Sequence, residues 1–157
     1  MATPTYYSLL QNASSGPDVA LVQIWLNGIR DDCTCYAKLT ADGKFGSNTE
    51  NAVREFQTKN SLTVDGKVGQ NTWNALYNKY AAKNGTSVPY PGIITSAGMT
   101  GAVVRYIQQQ LNTKGHSLSA DGNFGTKTDT AVRSFQTTSG LTSDGKVGQN
   151  TWAKLIV

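Results

Sequence analysis

One phrase occurs four times in this chain, and that repetition limits the folds open to it. The phrase is Asp-Gly-x-(Phe/Val)-Gly-x-x-Thr, starting at Asp42, Asp65, Asp121 and Asp144. The starts lie 23 residues apart within a pair and 79 apart between pairs. Aligned without a gap, Asp42–Leu76 and Asp121–Leu155 are identical at 23 of 35 positions. A nested repeat of this kind predicts two copies of one small domain. Two like domains also suggest two copies of one binding surface, because linked weak sites gain avidity. A catalytic set, by contrast, is needed only once.

Each copy reads as three helices joined by tight loops. Val19, Val22 and Leu26 fall at i, i+3 and i+7 after Pro17, and Val104, Ile107 and Leu111 repeat that spacing after Gly101. Proline suits the first turn of a helix. The offset here is 85 rather than 79, so the first copy carries six extra residues between Asn27 and Asp42. Each Asp-Gly marks a turn in which glycine supplies a positive φ. Ser47-Asn48-Thr49-Glu50 and Thr126-Lys127-Thr128-Asp129 read as capping boxes opening the second helix. Ala52, Val53 and Phe56, like Ala131, Val132 and Phe135, then form its apolar face. Trp73 with Leu76, and Trp152 with Leu155, give the third helix its buried side. The expected fold class is all-α: two tandem three-helix domains with almost no strand. The expected bounds are 8–80, with a Cys-bearing insertion at 28–40, then a Pro- and Gly-broken linker at 81–97, then 98–157.

Composition excludes several classes. Charged residues make up 15% of the chain and the net charge is +4, with no basic run of the kind nucleic-acid binding calls for. No apolar stretch is long enough to span a membrane. The start, Met1-Ala2-Thr3-Pro4, does not read as a signal peptide. The single His116 rules out a Ser-His-Asp arrangement in both copies, and no metal or cofactor motif is found. The four turn Asp are the acids shared by both copies, and an Asp side chain closing its own turn accounts for them. Cys33 and Cys35 are only one residue apart, a spacing that strains a disulfide, so they are expected as two thiols in a loop.

The residues also carry a resemblance. Gly-x-x-Val-x-x-(Val/Ile)-Gln-x-x-Leu-Asn leads each copy, with Gln23 or Gln108 inside it. Asp-Gly-x-Phe-Gly-x-x-Thr-x-x-Ala-Val-Arg-x-Phe-Gln follows, then Leu-Thr-x-Asp-Gly-Lys-Val-Gly-Gln-Asn-Thr-Trp-x-x-Leu. This pattern resembles the small three-helix peptidoglycan-binding domain of bacterial cell-wall hydrolases. The resemblance implies a non-catalytic module that binds peptidoglycan on its stem-peptide side, placed outside the cell or at its wall. A catalytic domain on the same full-length chain is an implied partner. The Cys-bearing insertion departs from the pattern. Two alternatives stand beside this reading: a small cell-wall hydrolase, and an interaction or structural module without affinity for the wall.

Trp73 and Trp152 are expected in the core. Trp25 faces Gln110 in the alignment and Tyr106 replaces Leu21, so these two are expected partly exposed, as contacts peculiar to one copy. The other candidate ligand residues are polar and kept in both copies: Arg54 and Arg133, Gln57 and Gln136, Gln70 and Gln149, Asn71 and Asn150. Arg54 and Gln57 share a helix face, and arginine can grip a stem-peptide carboxylate with paired hydrogen bonds. The competing roles are structural: Gln23 and Gln57 holding loop backbone, Asn71 and Thr72 capping the third helix.

Overall fold

The computed structural model of the chain describes residues 3–30 and 35–157. The described residues are all-α and form six helices: α1 Pro17–Ile29, α2 Ser47–Lys59, α3 Gln70–Asn84, α4 Ala102–Thr113, α5 Thr126–Thr138 and α6 Gln149–Leu155. They fall into two compact units, Tyr6–Pro91 and Gly92–Val157, the latter including residues 3–5. Ala81–Asn84, expected as linker, continue α3. Thr95, also expected as linker, pairs with Val147 inside the second unit.

Within each unit the first helix is central. In the first, α1 packs on α2 and α3; in the second, α4 packs on α5 and α6. Isolated β-bridges replace a sheet. Leu10 pairs with Val68 and Ser15 with Lys44; Thr95 and Thr100 pair with Val147 and Asn123 in the same way. The lead-in strand of each unit thus ties its two Asp-Gly turns together.

Three expectations are corrected here. The capping boxes do not form: Gly46 and Gly125 are the N-caps, with no side-chain cap bond, and Ser47 and Thr126 are already helical. The closing helices are likewise capped by Gly69 and Gly148, so neither Asn71 nor Thr72 caps. Trp25 and Tyr106 are not exposed; they keep 0% and 1% of their surface. The i, i+3, i+7 pattern marks one face, but α1 is buried on almost every side, from Pro17 through Gln23 and again at Trp25, Leu26 and Ile29. The long α3 then brings Tyr77 and Tyr80 to ring-centroid distances of 5.6 and 6.5 Å from Trp25, with Trp73 edge-on at 4.8 Å. The close approach is possible because Gly28 has no side chain: a Cβ there would lie 2.5 Å from the Tyr80 ring.

The insertion of the first unit is anchored to α1. Arg30 Nε donates to Tyr36 O at 2.9 Å, and the Tyr36 hydroxyl donates to Leu26 O at 2.8 Å. Cys35 is disulfide-bonded, which corrects the expectation of a free thiol at that position; Cys33 lies outside the described residues. Asn27 then grips Leu39 through both backbone atoms, as Asn112 grips Leu118, and the two copies fall back into register.

Candidate functional site

Four buried glutamines explain the four phrases. Gln57, 1% exposed, donates from Nε2 to Asp65 Oδ1 at 2.8 Å, to Lys67 O at 2.9 Å and to Thr72 Oγ1 at 3.1 Å. Its Oε1 accepts the N–H groups of Asp65 at 3.1 Å and Gly66 at 2.9 Å. Gln136 does the same with Asp144, Lys146, Thr151 and Gly145. Gln23 and Gln108 hold the other two turns through Asp42, Lys44, Thr49 and Gly43, and through Asp121, Asn123, Thr128 and Gly122. One amide therefore clamps a turn and the first turn of the next helix in a single step. These bonds are the structural role weighed for Gln23 and Gln57.

Each turn Asp accepts the N–H two residues on, from Lys44, Lys67, Asn123 or Lys146, at 2.8 to 2.9 Å. Each following glycine has φ between 71° and 77°. At Gly66 a Cβ would also meet Arg54 Nε and Glu50 Cγ at 2.8 Å, so glycine is needed there for space as well as for angle.

These bonds hold the four carboxyls below their ordinary value of 3.8. At Asp42, Asp121 and Asp144 the backbone N–H is the main cause and the glutamine amide the next. At Asp65 burial pushes upward, and the Lys67 N–H and Gln57 amide together outweigh it. A folded-state value below the unfolded one adds stability that is complete above the unfolded value and disappears as pH falls through the folded one. The melting temperature is therefore expected to be insensitive to these groups above about pH 5 and to drop below about pH 4. Asp65→Asn with Asp144→Asn should flatten that drop in calorimetry; an unchanged acid limb would assign it to other carboxylates.

Beside the second turn of each unit an open groove runs along the start of the closing helix. In the first unit it measures about 390 Å³ and is lined by Gln57, Leu62, Thr63, Asp65, Lys67, Gly69, Gln70, Asn71 and Thr72. In the second it measures about 560 Å³ and is lined by the nine counterparts, with Ile94 and Gly140 added. All nine pairs are identical in residue type. Thr63, Lys67, Gln70 and Asn71 are exposed, so no core requirement explains their identity. Most exposed positions elsewhere in the aligned span have drifted, among them Asn48 to Lys127, Asn51 to Thr130, Glu55 to Ser134, Lys59 to Thr138, Val64 to Ser143 and Asn74 to Ala153, while Asp42, Gly46 and Thr58 are kept. The first turn of the first unit supplies a control. It is clamped in the same way and borders a cleft of about 300 Å³, yet its exposed Lys38, Lys44, Ser47 and Asn48 all change in the second copy.

A model of the peptidoglycan binding domain family matches residues 15–76 and 100–155, one match per unit. The chain belongs to this family. An N-acetylmuramoyl-L-alanine amidase, CwlL, of Bacillus licheniformis is 34% identical over 94% of this chain and 45% of its own length. A probable N-acetylmuramoyl-L-alanine amidase of the same species is 38% identical over 45% of this chain and 21% of its own. The chain thus spans less than half the length of these curated relatives. Among solved structures, a peptidoglycan-binding protein from Clostridioides difficile in complex with glutamine hydroxamate is 38% identical over 41% of each chain, with a TM-score of 0.41.

Of the residues singled out in the sequence, Gln70, Asn71, Gln149 and Asn150 line the grooves of these peptidoglycan-binding domains, and Gln57 and Gln136 form their floor. Arg54 and Arg133 are not among the lining. Arg54 bonds Glu50 at 2.8 Å and reaches Val64 O at 3.3 Å; Arg133 bonds Asp129 at 2.8 Å and Ser143 O at 3.0 Å. Both guanidiniums brace the turn against its helix while remaining about half exposed. Trp25 and Tyr106 lie each in the core of its own unit and are not among the groove lining. Lys67, Lys146 and Ile94 were missed. The two lysines were visible as identical residues inside the repeated phrase; Ile94 lies outside the aligned span. Among the described residues no group of three or more His, Cys, Asp or Glu could hold a metal ion. No described helix is long and apolar enough to cross a membrane.

Proposed function

We propose that the chain is a non-catalytic module that attaches to bacterial cell-wall peptidoglycan, one groove per unit, and delivers a catalytic domain of the same full-length protein to the wall. The observation that carries this reading is the identity of the groove lining in both copies, set against drift over most other exposed positions. Family membership supplies the ligand class. Exposed amides at Gln70 and Asn71, and a lysine at position 67, suit peptide backbone and carboxylate, which favours the stem peptide over the glycan strand. Arg54 and Arg133 act by holding the turn, and any ligand contact they make is secondary to the groove. The site of action is the wall.

Purified sacculi mixed with the protein and centrifuged should carry it into the pellet. A zymogram on the same wall material should show no clearing. Equal supernatant with and without wall would overturn the binding reading; a clearing band would overturn the non-catalytic one.

A further inference from the structure

An exposed apolar side chain stands at the same place in both units. Leu9 and Ile94 occupy equivalent positions, 85 residues apart, in the lead-in strands just before the β-bridges to Val68 and Val147. They are 47% and 52% exposed and belong to a short set of large hydrophobic residues left open, with Val64 and Val157. Each lies against the second glycine of the groove turn: a Cβ on Gly69 would meet Leu9 Cδ1 at 3.9 Å, and one on Gly148 would meet Ile94 Cγ1 at 4.0 Å. Gly69 and Gly148 line their grooves, and Ile94 itself lines the second. The neighbours of the apolar pair have changed, Leu10 to Thr95 and Gln11 to Ser96, while the large aliphatic character has been kept. The pair is too exposed to be held by the core.

We infer that Leu9 and Ile94 are specificity residues: an apolar lip that takes the methyl group of an alanine whose carboxylate turns toward Lys67 or Lys146. This deepens the peptidoglycan-binding reading and rests on it. A C-terminal alanine carries a methyl and a carboxylate on one carbon, and the second groove is lined by both an aliphatic side chain, Ile94, and a lysine, Lys146. Burying a methyl against a branched aliphatic side chain raises affinity several-fold, and glycine in that place forfeits the gain.

The test is a double-mutant cycle on the full chain. The probes are a synthetic stem peptide ending in D-alanine and the same peptide ending in glycine, with calorimetry as the readout. The parent should bind the alanine peptide about four-fold tighter than the glycine one. Leu9→Ser with Ile94→Ser should bind both equally, near the parent's affinity for the glycine peptide, with an unchanged melting temperature. Leu9→Val with Ile94→Val should restore part of the preference. A parent that binds both peptides alike, or a Ser variant that keeps the preference, would overturn the lip. A parent that fails to sediment with sacculi would overturn the binding reading and the lip with it.

Discussion

Gln57→Ala is expected to lower the melting temperature of the Tyr6–Pro91 unit by roughly 12–40 °C, a loss of about 3–5 kcal/mol. The side chain is 1% exposed and satisfies five partners at once. Removing it leaves the Gly66 N–H and the Lys67 carbonyl unpaired, and each buried orphan costs about 1–3 kcal/mol. A cavity adds to that. A domain of this size is stable by only about 4–13 kcal/mol, so the variant sits near its limit. Gln136→Ala should do the same to Gly92–Val157. Gln57→Glu separates shape from hydrogen bonding. It keeps the volume but loses the amide donor and sets a carboxylate beside Asp65, so it should be no better than alanine at pH 7. Scanning calorimetry or far-UV circular dichroism with temperature reads the result. A shift of a degree or two would mean that the Asp-Gly turns hold themselves.

The glutamine clamps also show how far the sequence could be read. The three helices per copy, the positive-φ glycines and the Asp-closed turns each follow from a local pattern, and each is present in the structure. The clamp was legible as one of two roles for Gln57, because a buried amide and a ligand-facing amide look alike along the chain. The capping boxes failed because Thr49 and Thr128, within those motifs, serve as acceptors for Gln23 and Gln108, while glycine takes the cap. Trp25 was misread because its cover comes from Tyr77 and Tyr80 on a helix longer than the repeat suggests. The bracing role of the arginines was not legible because nothing local reveals that Val64 O and Ser143 O, ten residues on, accept from their outer donors. The groove itself needed the fold: Leu9 or Ile94 meets the turn only after the lead-in strand bridges back to Val68 or Val147.

The largest effect expected on binding comes from the pairing of the two grooves. Gln70→Ala with Asn71→Ala removes the exposed amides of one groove, and Gln149→Ala with Asn150→Ala those of the other. Neither pair caps its helix through a side chain, so the fold should survive. A polymer presents many copies of one ligand, so a second groove binds at an effective concentration in the millimolar range when the linker is short. Disabling either groove should then weaken binding to sacculi at least tenfold, and disabling both should abolish it. A soluble stem peptide has only one end to offer and gains nothing from the second groove. With that probe, disabling one groove should halve the stoichiometry and leave the affinity of the remaining site unchanged. These two readouts separate avidity from intrinsic affinity, and an unchanged melting temperature of each variant separates a disabled groove from a misfolded unit. If one groove variant binds sacculi as tightly as the parent, its unit contributes structure and the other unit alone holds the wall.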